Sequence, residues 1–170
     1  GYDDAPEGGV LRFGNGWILD VAPHPEFADN GWIYLSYGDR CSDCNEISRQ
    51  GPKAPVSALK LIRGRIKDGE WVDEETLWET GREHYAPGTD MAAGGRIAFD
   101  GKGYLFLSFG MMPGLGYGGI QDLDRPFGKV HRMHDDGRIP EDNPFVDTEG
   151  AIGTIWTYGH RSPQGLEFNP

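Results

Sequence analysis

Apolar residues in this chain fall in short runs broken by turn residues, and no long segment shows the three-to-four spacing of an amphipathic helix. The pattern predicts strands over Ile18–Ala22, Trp32–Tyr37, Ser57–Arg65 and Glu70–Leu77. Four more follow over Arg96–Phe99, Tyr104–Phe109, Lys129–His134 and Thr154–Tyr158. Turn chemistry separates them. Pro23–Gly31 joins the first pair, Lys67-Asp68-Gly69 the third and fourth, and Asp100-Gly101-Lys102-Gly103 the fifth and sixth. Asp135-Asp136-Gly137 ends the seventh strand and opens an irregular, Pro-rich segment.

The strands repeat. Ile33-Tyr-Leu-Ser-Tyr-Gly38 returns as Leu105-Phe-Leu-Ser-Phe-Gly110, and Ile97-Ala-Phe99 returns as Leu166-Glu-Phe168, each about 70 residues later. A long, even period of this kind predicts radial or stacked β units. The fold class expected is all-β, a β-propeller of which this chain supplies two four-stranded blades and the start of a third. The blades run over 10–80 and 90–158, with the third opening at 159–170. Two blades cannot close a ring and would leave edges and apolar faces uncovered. The chain is therefore expected to be a segment of a larger propeller, or part of an assembly that a second chain completes. A compact two-sheet sandwich is the structural alternative.

Composition sharpens this picture. Gly (27) and Pro (12) are frequent and aromatics make up 12% of the chain, as in a turn-rich β protein. A net charge of −11 repels phosphate backbones and anionic membranes, so nucleic acid is an unexpected partner and neutral molecules such as sugars fit better. No apolar run is long enough to span a bilayer. Cys41 and Cys44 form a single C-x-x-C in a polar stretch with no helical pattern after it. The pair reads first as a local disulfide, with free thiols and metal or redox chemistry as alternatives.

Candidate chemistry concentrates in Tyr158-Gly-His-Arg-Ser-Pro-Gln-Gly165, a polar loop between two strand-like runs. Together with Ile18–Phe27, Asn30–Tyr37, Gly94-Gly-Arg-Ile97, Gln121-Asp-Leu123 and Gly128-Lys-Val-His-Arg132, it resembles the soluble glucose/sorbosone dehydrogenase family, whose members use pyrroloquinoline quinone (PQQ). The resemblance implies a six-bladed propeller, periplasmic or secreted. Its quinone would lie over the central mouth, held by Ca2+ and by arginine or lysine side chains. A histidine would accept the proton as hydride leaves an aldose or aldehyde sugar. A flat tricarboxylate calls for guanidinium groups, and proton removal near neutrality calls for imidazole.

On this resemblance Arg161 is the cofactor contact carried over, with Ser162 beside it where the family has Asn, and Asn15 at the family's pocket glutamine. Met111, Gln121 and Asp122 stand on the substrate side. The base position is Ala92, in Ala92-Ala-Gly-Gly-Arg96, where the family has His. A methyl group accepts no proton, and His84, eight residues earlier, is the weak substitute. No metal ligand is assigned within this stretch; those for calcium are expected outside it. His131 and His134, three apart on one strand, point to opposite faces and make a poor metal pair. His24 and His160 read as scaffold residues. The competing reading is a propeller that kept its scaffold, lost its base and binds a carbohydrate or a protein.

Overall fold

The computed structural model describes residues 18–41, 56–85, 94–111 and 119–168, the side chains of residues 40, 41 and 56 excepted. Among them are eight strands in two four-stranded antiparallel sheets. The first holds β1 (Ile18–Pro23), β2 (Ile33–Cys41), β3 (Val56–Lys67) and β4 (Glu70–Glu79), in that spatial order. The second holds β5 (Gly94–Phe99), β6 (Tyr104–Phe109), β7 (Lys129–His134) and β8 (Ile155–Tyr158), also in sequence order.

Every predicted strand is present. β2, β3 and β4 run further than their apolar runs, because ladder pairing carries polar residues along: Asp39 pairs with Ala58 and Lys60 with Glu79. Two single turns escape the pattern, one of them a 3-10 turn over Arg82–His84 after β4. The other, α1 (Phe27–Asn30), lies inside the β1–β2 connection and ends at Gly31, and one turn is too short to show a helical period. The β3–β4 hairpin follows its sequence signal. Asp68 and Gly69 both take positive φ (55° and 84°), as a primed two-residue turn requires.

The sheets pack face to face around Tyr34, Leu59, Leu61 and Trp78 from the first, and Leu105, Leu107, Phe109 and Met133 from the second. Trp78 sits at the centre of the seam, its ring centroid 6.1 Å from Phe109 and 4.6 Å from His131. Residues of opposite parity on β6 face away from the first sheet, so Phe106 packs instead on Trp156 and Phe168. Outer faces stay bare. Ile18, Val21 and Ile66 are exposed on the first sheet and Phe27 on α1, and Trp156 and Tyr158 are exposed on β8, with Ile139 and Phe168 on the segments after β7 and β8.

The opening strands of the two sheets lie side by side. Ile97 N–H donates to Asp20 Oδ2 at 2.9 Å, and Arg96 Nη1 donates to the Leu19 carbonyl at 2.7 Å. Gly95, at φ 70°, is packed so tightly that a β-carbon there would sit 2.6 Å from Leu19 Cβ. The repeated serine has the same job in both units. Ser36 donates its hydroxyl to the Gly95 carbonyl, at the start of β5. Ser108 donates to the Pro163 carbonyl at 3.0 Å, just before the second echo of β5, and accepts Arg96 N–H at 3.0 Å.

Candidate functional site

Strand alternation decides which residues can meet. Connections β2–β3, β4–β5 and β6–β7, and the segment after β8, all leave from one end of the sheets; the β1–β2, β3–β4 and β5–β6 turns lie at the other. His84 is on the β4–β5 connection. Met111, Gln121 and Asp122 are on the β6–β7 connection, and Arg161 and Ser162 follow β8. The six predicted site residues within the described region therefore share one end. Asn15 and Ala92 lie outside the described residues, as do Cys44, the side chain of Cys41 and most of the Gly-rich loop after Met111.

Main-chain bonds fasten these segments together. Met111 N–H donates to the Arg161 carbonyl at 2.7 Å, His160 N–H to the Gly128 carbonyl at 3.0 Å, and Gly159 N–H to the Ile120 carbonyl at 2.9 Å. Arg161 and Ser162 are exposed and Met111 is half-buried, so a cation and a hydroxyl stand at the surface beside an apolar thioether. Ser162 Oγ accepts the Gln164 amide at 3.0 Å. Gln121 lies against Gly159, where an added β-carbon would come within 3.0 Å of its Nε2. His84 is half-buried, its ring 6.3 Å from that of Phe127 and its Nε2 3.4 Å from the Glu83 carboxylate.

Sequence reasoning missed the polar groups underneath. Lys129, Arg96 and His131 are the residues that hold this end in shape. Lys129 is fully buried, and its ammonium donates to the carbonyls of Phe127 at 2.8 Å, Ile120 at 2.9 Å and Gly119 at 3.3 Å. Burial pulls its pKa down to about 8, while Asp122 and Asp124 pull the other way. His131, also buried, places Nε2 2.8 Å from the Pro126 carbonyl and Nδ1 2.9 Å from Thr154 Oγ1. Desolvation holds its pKa at about 4, so near neutrality the ring is uncharged, Nε2–H donating to the carbonyl and Nδ1 accepting the threonine hydroxyl. Arg96 ties the starts of β1 and β5 to the segment after β8, adding a 3.0 Å bond from Nε to the Gln164 carbonyl. Lys129 and His131 share strand parity with the fully buried Met133, but Val130 and Arg132 on the other face are buried too, so alternation did not single them out.

At the opposite end His24 is a scaffold residue, as its sequence context predicts. Its Nδ1 accepts from Glu26 N–H and the Asn30 amide, and its Nε2 lies 3.0 Å from Asp135 Oδ2. Among the described residues no group of three or more His, Cys, Asp or Glu side chains is placed to hold a metal ion, and no helix is long and apolar enough to cross a membrane.

The family model for glucose/sorbosone dehydrogenases matches residues 4–170. The chain belongs to that family. Aldose sugar dehydrogenase YliI of Escherichia coli is 36% identical to this glucose/sorbosone dehydrogenase family member over 164 residues, covering 95% of this chain and 40% of YliI. Quinoprotein glucose dehydrogenase B of Acinetobacter calcoaceticus is 48% identical over 168 residues, 92% of this chain and 34% of that protein. The crystal structure of the soluble aldose sugar dehydrogenase from E. coli, in its apo-form, superposes with a TM-score of 0.72 at 34% identity over 95% of this chain and 42% of that one. A glucose dehydrogenase structure gives a TM-score of 0.78 at 29% identity over 93% and 45%. The chain thus spans well under half the length of the relatives it matches, and its two meander sheets are those of part of a family propeller.

Proposed function

We propose that this chain supplies two consecutive blades and the opening of a third to a quinone-dependent dehydrogenase that oxidises an aldose or aldehyde sugar. The Met111–Arg161 main-chain bond carries the reading, because it fixes the arginine of the Gly-His-Arg-Ser-Pro-Gln-Gly loop beside the β6–β7 connection. The blade assignment, roughly 10–80, 90–158 and 159–170, is supported by the serine bonds. Ser108 meets Pro163 as Ser36 meets Gly95, so the residues after Tyr158 take the place in a third unit that β5 takes in the second. The bare apolar side chains on both outer faces support flanking blades from the rest of the protein or from a second chain.

Pyrroloquinoline quinone carries three carboxylates, so its site needs donors that are fixed and accessible. Arg161 and Ser162 meet that need for one carboxylate edge: they are exposed, and the main chain at Arg161 is pinned. Bound there, the quinone supplies the hydride acceptor. The chain's own work is to hold that edge through Arg161 and to present Gln121, Asp122 and Met111 to a sugar. Proton removal needs a base. Ala92 cannot be one, and His84, on the same β4–β5 connection, is the candidate that replaces it. Further cations and calcium ligands belong to the rest of the propeller. A neutral sugar substrate suits a protein of this negative charge, and a place outside the cytoplasm suits an enzyme of this family.

Ala92 favours a second reading, a propeller that binds a carbohydrate or protein without turnover. One experiment separates the two: PQQ and calcium added to the intact protein, with dye reduction followed across a panel of aldoses. Turnover supports the dehydrogenase; tight quinone binding without turnover supports the binding module; no quinone binding removes the cofactor assignment. Ala92→His then tests the pocket directly, with dye reduction expected to rise by about tenfold or more if the missing base limits the rate. Unchanged turnover with quinone bound would put the base elsewhere.

A further inference from the structure

The connection over residues 119–128 has little regular structure, yet it carries Gln121 and Asp122. Its internal main-chain bonds are few: Asp122 N–H to the Gly119 carbonyl at 3.2 Å and Arg125 N–H to the Asp122 carbonyl at 3.3 Å. What closes it is a side chain from the strand beneath. Lys129 gathers the carbonyls of Gly119, Ile120 and Phe127 onto one nitrogen, joining the two ends of the loop through a single buried point. An ammonium has three hydrogens, and three carbonyls take them. His131, on the same face of β7, fixes the Pro126 carbonyl. Two residues with no apolar role thus occupy the core under this loop. A buried charge is costly to place, and aliphatic side chains would fill the space without that cost. Rigidity of the loop is what the charge provides in exchange.

We infer that Lys129, backed by His131, is a positioning residue that locks the 119–128 connection and so fixes where Gln121, against Gly159, and Asp122 stand. The inference rests on the proposed reading only for what the loop is used for, since the lock is a property of the loop alone. A loosened loop still reaches the sugar but spends part of its time displaced, so the expected signature is weaker substrate binding with little change in the chemical step.

The test uses the intact protein with PQQ and calcium. Lys129→Met removes all three donors at similar volume, and Lys129→Gln keeps two. For Lys129→Met, KM for the best aldose is expected to rise about tenfold with kcat within about threefold of the unsubstituted protein, and Lys129→Gln should fall between. Deuterium uptake at 119–128 should rise about tenfold in Lys129→Met while β6 stays protected. An unchanged KM, a loss confined to kcat, or unchanged uptake at 119–128 overturns the inference. If the protein shows no turnover, the proposed function fails, and the uptake experiment still decides the lock. If neither variant folds, the unsubstituted protein decides. With nitrogen-15 in its lysines, Lys129 should give an ammonium signal whose hydrogens exchange slowly, and fast exchange there would refute a buried three-bond lock.

Discussion

Arg96, Arg132 and Arg161 show how placement divides one side-chain type into different tasks. Arg132 is buried between Tyr104 and Trp156, its guanidinium 3.8 Å from the Tyr104 ring centroid and paired with Asp142 at 2.8 Å. Arg96 donates to carbonyls on two sides and joins neighbouring strand starts. Arg161 is exposed at the end where the predicted site residues collect. The proposed role predicts a clean separation of effects. Arg161→Met should leave the melting temperature within about 2 °C, because exposed positions contribute little to folding. It should weaken PQQ binding by about a hundredfold, and Arg161→Lys by about tenfold, since an ammonium cannot form the paired bonds of a guanidinium. Fluorescence titration of the intact protein with the quinone measures both. Equal affinity in all three proteins would remove Arg161 from the site. This residue was legible in the sequence because a short motif surrounds it. Lys129 was not: in Gly128-Lys-Val-His-Arg132 both strand faces carry polar residues, so alternation alone could not say which one is buried.

Strands and turns were legible in outline, since alternation and Asp-Gly turns are local signals. The single turn of α1 and the far ends of β2, β3 and β4 were not, because those depend on partners distant in the chain. The repeated Ser-aromatic-Gly shows the gain from reading elements together. Its serines meet at one peptide group, Ser36 donating to the Gly95 carbonyl and Ser108 accepting the Arg96 N–H. Ser36→Ala should destabilise the intact protein by about 1 kcal/mol and Ser108→Ala by about 2 kcal/mol, the latter losing bonds to both β5 and Pro163. Because both act on one peptide, the double variant should depart from the sum by about 0.5 kcal/mol or more. Urea unfolding of the four proteins gives the cycle. Strict additivity would mean the two units are fastened independently.

At the scale of the two sheets, the seam between them is where acid is expected to act, through His131. His131 is fully buried at that seam, against Trp78 and bonded to Pro126 and Thr154. Its folded pKa is held at about 4 by desolvation, below the ordinary 6.5. Below 6.5 the unfolded chain binds a proton that the folded chain refuses, so stability falls as pH drops and the loss is complete near 4. The full contribution is about 3 kcal/mol, present above pH 6.5. His160, lowered by desolvation and by Lys129, acts in the same direction but is less enclosed. The depressed carboxylates, led in exposure by Asp73 and Asp142, start below 3.8 and belong to a lower pH range. His131→Gln keeps an N–H for the Pro126 carbonyl and removes the titration. Urea midpoints of the unsubstituted protein should therefore fall steeply between pH 6.5 and 4, while those of the variant fall much less, by the part His160 keeps, before both drop below pH 4. Parallel profiles would show that the seam opens to water before His131 is challenged, and would move the acid sensitivity to the exposed end of the sheets.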